Sequence, residues 1–195
     1  AILADSNYLY DDELKGAKEL FVAGGTFALP KLASAYNMNL RDVSAVQNYI
    51  ESLVESFVVY SADRYDIKGK QLLKSLNKYY LVDIGFRKIM LGDKQTDIGF
   101  VLENIVYLEL LRRGYKVYIG KINELEVDFI AENGEDKMYI QVSATVLDPN
   151  TFNREISSLE KIKDNYPKYI ITMDEIPSHK EGIKQINIID FLLND

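Results

Sequence analysis

Three polar residues stand where apolar ones are expected, and their types set the chemistry open to the chain. Glu103 has Phe100, Val106, Tyr107 and Leu110 as helical neighbours. A carboxylate on so apolar a face is costly unless it finds a partner, such as Arg113 or a lysine. Asp128 lies between Val127 and Phe129 in a run that reads as a strand, where Asp is depleted. Gln141 follows in the next strand-like run, with Ser143 two residues on. If Asn133 to Asp136 forms the hairpin loop, Glu132 faces Lys137 and Asp128 faces Gln141. The last two side chains then share one face of the sheet, within about 5.5 Å. Asp128 and Gln141 offer hard oxygens to a metal such as Mg²⁺, with Glu103 as a further acid. The plainer alternative is a structural amide–carboxylate hydrogen bond.

Composition removes most other chemistry. With 0 Cys and 1 His among 195 residues, there is no disulfide, no thiolate site and no two-histidine metal site. The lone histidine, His179, follows Pro177 in an expected loop and has no GxSxG serine to serve. Neither GxxxxGK[ST] nor GxGxxG occurs, so the chain holds no phosphate loop and no ATP site of those kinds. Hydrophobic residues make up 47%, enough for one sizeable core or two small ones. No apolar run approaches the ~18 residues of a membrane span, and no secretory leader is evident. The expectation is a cytoplasmic protein without a membrane partner. The chain begins with Ala1, which suggests a fragment of a longer polypeptide.

The net charge of −7 is unevenly spread. Residues 59–92 carry a basic excess, from Arg64, Lys68, Lys70, Lys74, Lys78, Arg87 and Lys88, between two acidic stretches. Such a band suits phosphate contact, or simply a solvated hairpin. Upstream, Asp11 and Asp12 cap an expected helix that Gly24 and Gly25 end, and Pro30 opens a second. A third helix carries Val43, Val46, Ile50, Leu53, Val54 and Phe57 at three- and four-residue steps. A hairpin is expected from Phe57 to Val82, turning near Asp66 to Gly69. Helices followed by a basic hairpin match a winged helix-turn-helix. Its nucleic-acid contacts would be Arg41, Gln47 and Asn48 on the third helix, and Arg64, Lys68 and Lys70 on the wing. Asp42, Glu51 and Glu55 on the same helix oppose that role.

The second half reads as helix, three strands, helix, strand. Thr96 or Asp97 caps a long helix that Gly114 closes. Strands follow over 115–119, 126–131 and 137–143, with a turn from Gly120 to Glu124. A helix spans 151–164, a central strand 168–173, and a short strand and helix finish the chain. The expected fold class is α/β: an N-terminal winged helix-turn-helix over 1–92, then an αβββαβ domain over 93–195.

Five stretches in order carry a resemblance: KYYLVDIGFR (78–87), IGFVLENIVYLELLRRGY (98–115), EVDFIA (126–131), YIQVS (139–143) and LEKIKDNYPKYIITMD (159–174). Across roughly residues 27–175 the chain resembles the C-terminal region of prokaryotic AAA-type ATPases that carry a domain of unknown function. The αβββαβ order with this Glu…Asp…Gln-x-Ser arrangement is similar to the PD-(D/E)XK nuclease superfamily, which implies a restriction-endonuclease-like fold over 93–195. The resemblance implies an ATPase domain preceding this region in the same polypeptide. It implies a site of Glu103, Asp128 and Gln141, with Asp128 and Gln141 as Mg²⁺ ligands if the site is active. Gln141 replaces the motif's carboxylate, and Ser143 stands where its lysine should orient water and stabilise negative charge. Lys121 and Lys161 are the substitutes considered for that amine. The site therefore reads as degenerate. The leading expectation is an inactive nuclease-like module that binds nucleic acid or a partner protein. The alternatives are an active Mg²⁺-dependent DNA nuclease and a structural interdomain or dimerisation module, with a second copy of the chain as partner.

Overall fold

The computed structural model describes residues 48, 50–74, 77–86, 98–178 and 180–194. The two expected N-terminal helices, the caps Thr96 and Asp97, and Arg41, Gln47 and His179 lie outside them. Residues 50–55 are helical. They end in a left-handed residue, Phe57 at φ 56°, with the Val58 N–H bonded to the Leu53 carbonyl.

The described strands between Val59 and Leu81 form two nested hairpins rather than one. The outer pair, β1 (Val59–Ala62) and β4 (Lys78–Leu81), is antiparallel and stands alone. Between them the chain leaves to form β2 (Arg64–Asp66) and β3 (Gln71–Leu72). β2 runs parallel to β5 (Lys116–Ile122), pairing Tyr65 with Gly120. The inner part of the expected wing is thus part of the main sheet. Its backbone is tied down on both flanks, Ile119 N–H to the Asp63 carbonyl and Ile67 N–H to the Lys121 carbonyl.

The chain is mixed α/β. Seven strands lie in the order β3-β2-β5-β6-β7-β8-β9, with β6 Leu125–Asn133, β7 Asp136–Val142, β8 Lys168–Thr172 and β9 Lys184–Asn187. β5, β6 and β7 form an antiparallel meander, and β7, β8 and β9 run parallel. Helix α1 (Ile98–Arg112) and the short α3 (Ile188–Leu193) bury Leu102, Val106, Leu110, Ile188 and Phe191 with Phe129, Ile140 and Ile171. Helix α2 (Pro149–Glu160) covers the other face, with Ile156 and Leu159 against Val127, Ile130, Tyr139 and Ile170. The boundary expected at residue 92 runs through this assembly, because β2 and β3 precede it and share the sheet. Ala62 and Tyr80 share the α1-side core too.

Local chemistry sets the element ends. Gly114, at φ 80°, closes α1, with its N–H bonded to Leu111 and the Tyr115 N–H to Leu110. Asp148 caps α2 by accepting from the Thr151 N–H at 2.9 Å, and Pro149 occupies the first turn. That helix starts two residues before the expected position because proline needs no N–H there. Gly120 is a strand residue rather than a turn. A Cβ at that position would lie 2.9 Å from the Val127 Cβ and 3.1 Å from the Ile67 Cδ1, so only glycine allows this approach.

Candidate functional site

The expected register of the β6/β7 hairpin holds. Glu132 faces Lys137, and the ladder continues to Phe129 opposite Ile140. On the other side of β6 the register shifts. Tyr118 pairs with Ile130 but Gly120 with Val127, so Asp128 and Phe129 together oppose Ile119. This β-bulge breaks the strand's two-residue alternation. Val127 and Ile130 both pack in the α2-side core, whereas Phe129 and Ala131 pack in the α1-side core.

The bulge separates the functional groups of Asp128 and Gln141. The Asp128 Oδ2 accepts from the Val142 N–H at 2.8 Å. The Gln141 carboxamide instead sits against α2. Its Oε1 accepts from the Ser158 hydroxyl and from the main-chain N–H of Asp128, both at 3.4 Å, and its Nε2 donates to Glu155 at 3.5 Å. The expected side-chain pair on one face is therefore not what forms. Ser143 donates to the Thr145 carbonyl.

What meets Asp128 is a cluster assembled from β4, α1 and β6. Lys78, 3% exposed, places its Nζ 2.6 Å from Glu103 Oε1 and 3.1 Å from Glu126 Oε1. The Tyr80 hydroxyl donates to the same Glu103 oxygen at 2.6 Å. Tyr80 stacks on Tyr107 with ring centroids 4.0 Å apart, and Phe129 packs at their edge, so the cluster has an aromatic wall. Arg64 pairs with the other Glu126 oxygen at 2.5 Å. Next to Glu103, the Asn104 carboxamide bonds both the N–H and the carbonyl of Leu81, fastening α1 to β4.

Burial by itself would pull the Lys78 ammonium down. Glu103, Asp128 and Glu126 outweigh it, and its pKa ends well above the usual lysine value. Burial pushes Asp128 up to about 8. The charge of Glu103 adds to this, while Lys78 and the Val142 N–H oppose it. Burial would also raise Glu126, yet Lys78 and Arg64 hold it below the ordinary carboxylate value. Tyr80 is driven well above the phenol range by burial and then by Glu103.

Lys78 was not singled out by its sequence neighbourhood, and neither Lys121 nor Lys161 takes its place. The signal was present in the alternation of β4. With Tyr80 inward, Lys78 is inward too, and a buried lysine requires a carboxylate. Of the expected nucleic-acid contacts, Arg64 is engaged by Glu126, and Lys68 reaches Asn123 at 2.8 Å from an exposed position. Lys70 and Asn48 are exposed.

Mg²⁺ does not fit the residues present. Among the described residues no three His, Cys, Asp or Glu side chains converge in a way that could hold a metal ion. Gln141 is turned to α2, and Glu103 is taken up by an ammonium. No described helix is long and apolar enough to cross a membrane.

No family model matches the chain, and no solved structure matches it. A protein of Haemophilus influenzae described as uncharacterized is 41% identical over 149 residues, covering 76% of this chain and 36% of that protein. A likewise uncharacterized protein of Methanocaldococcus jannaschii is 30% identical over 149 residues, covering 74% of this chain and 32% of its own. The chain thus spans about a third of the length of the curated relatives it matches.

Proposed function

We propose that this chain is the C-terminal module of a longer prokaryotic AAA-type ATPase. In this reading it joins a winged-helix element to a nuclease-like domain that binds nucleic acid or a partner protein without cutting. One observation carries the reading: Lys78 is buried against Glu103 and Glu126 in the field of Asp128. In a working two-carboxylate site the excess negative charge is left for a metal ion. Here the chain supplies its own cation, and the element that supplies it is β4, in the stretch expected to belong to the winged helix. The centre is closed and also fastens that stretch to the sheet. The length of the bacterial and archaeal relatives supports placing the module within a larger protein.

The test is incubation with supercoiled plasmid and with single-stranded DNA in Mg²⁺ or Mn²⁺, beside Asp128→Ala. The expected result is no strand scission above background in either protein. Scission by the parent that Asp128→Ala abolishes would overturn the inactive reading and establish a nuclease. DNA affinity is measured in parallel. A nucleic-acid role through the hairpin tip predicts a salt-dependent affinity that Lys68→Ala with Lys70→Ala lowers. Unchanged affinity in that variant removes the tip as the contact.

A further inference from the structure

A second buried polar network lies where β7, β8 and β9 end, and the Lys78 cluster does not use it. Asp174 accepts from the Thr145 hydroxyl at 2.6 Å and from the Val146 N–H at 2.8 Å. Gln185 donates to the Thr172 hydroxyl at 2.9 Å and accepts from the Ser178 N–H at 2.7 Å. Asn187 donates to the carbonyls of Met173 and Asp174, and its own oxygen caps α3 through the Ile189 N–H. The Met173 N–H bonds the Ala144 carbonyl. These bonds join the neighbouring segments 144–150, 173–178 and 187–193.

The three segments carry large exposed apolar side chains. Leu147, Met173, Ile176, Ile189 and Leu193 are between 50% and 79% exposed. Between α1, α3 and the sheet lies a cleft of about 530 Å³, with Ile140, Ile171 and Phe191 among its lining residues and Asp174, Glu175 and Asp190 at the same segments. The three segments hold four acids, Asp148, Asp174, Glu175 and Asp190, and no lysine or arginine. Arg113 in the cleft is engaged by Glu109 and by the Phe191 and Asn194 carbonyls. Lys184 lies on the β9 side.

We propose that this face docks a protein segment that is apolar on one side and basic on the other, an amphipathic helix rich in Lys or Arg. The exposed apolar side chains provide anchors, and the hydrogen bonds that join the loops limit the ordering cost of binding. The charge selects the partner: Asp148, Glu175 and Asp190 are exposed, so they attract a basic rim and repel a phosphate backbone. This inference goes beyond the reading above and holds whether or not the Asp128 centre cuts DNA, since the two places share no residue.

The full chain is titrated against a fluorescent helix-forming peptide of about 18 residues, with Leu at i, i+3, i+4 and i+7 steps and Lys elsewhere. A twin peptide carries Glu in place of Lys. The expected result is saturable binding of the Lys peptide and at least about tenfold weaker binding of the twin. Met173→Ser with Ile176→Ser should weaken the Lys peptide at least about tenfold without moving the melting temperature, since both side chains are exposed. No binding, equal affinity for both peptides, or an unchanged affinity in the double variant would overturn the proposal. So would a dimer, seen by sedimentation, that the double variant dissolves, because a second copy would then be the occupant. DNA binding lost in the same variant would likewise make nucleic acid the occupant and refute it.

Discussion

Asp128 and Asp174 are each 9% exposed and each accepts a main-chain N–H, yet they are stabilised by different means. Asp174 is ringed by neutral donors from the adjoining loop and β9: the Thr145 hydroxyl, the Val146 N–H and the Gln185 amide. Asp128 has one N–H, an adjoining carboxylate in Glu103, and the positive charge of Lys78 arriving from another element. Local dipoles hold one acid, and a remote ammonium holds the other. A network of the first kind fixes loop geometry through short-range hydrogen bonds. A cluster of the second kind couples α1, β4 and β6, and its charge balance changes when any member gains or loses a proton.

Removing the remote cation should produce the largest effect. Lys78→Met leaves Glu103 buried without its counter-charge, so stability should fall by roughly 3–5 kcal/mol, read as a shifted urea midpoint near pH 7. Asp174→Ala tests the other half of the contrast. It orphans the buried Val146 N–H and should cost roughly 2 kcal/mol, read as a shifted urea midpoint. An Asp174→Ala loss larger than that of Lys78→Met would reverse the contrast. Asp128→Asn should have the smallest effect, and the opposite sign at high pH. Because the folded-state pKa of Asp128 lies above its unfolded value, its contribution is fully present below about pH 4 and is lost as pH rises towards 8. Asn keeps an acceptor for Val142 but cannot ionise. The variant should therefore lose less stability than the parent between pH 4 and 8, and gain about 1–2 kcal/mol at pH 8. A parent whose stability does not decline over that range, after allowance for Glu126 and Glu109, would contradict the assignment. Those two acids are held low and act in the reverse sense, losing stability on acidification.

What could be read from the amino acids followed the range of the interactions. Gly114 ending α1, the turn that sets Glu132 against Lys137, and the order of elements after residue 98 all depend on neighbours in sequence. Periodicity and turn chemistry report such features directly. Asp128 was conspicuous for the same reason, as an acid in an apolar strand. The bulge that turns it away from Gln141 depends on Gly120 admitting Val127 at close range, and no pattern within β6 announces it. The partner of Glu103 comes from 25 positions upstream, across an expected domain boundary. The same long range hid the capture of β2 by β5. A basic hairpin with a turn at Asp66 to Gly69 fits either a free wing or an added sheet strand, and only the tertiary pairing decides.

That added strand bears on how the protein can be divided. β2 shields one long edge of β5, while Lys78, also encoded before residue 92, neutralises two acids after it. A recombinant piece starting at residue 93 would carry a bare row of amide and carbonyl groups along β5, together with charges shut in an oily interior. Such a product should clump through edge-to-edge pairing. The place that looks most like a seam in the amino-acid order is one where the folded molecule does not come apart.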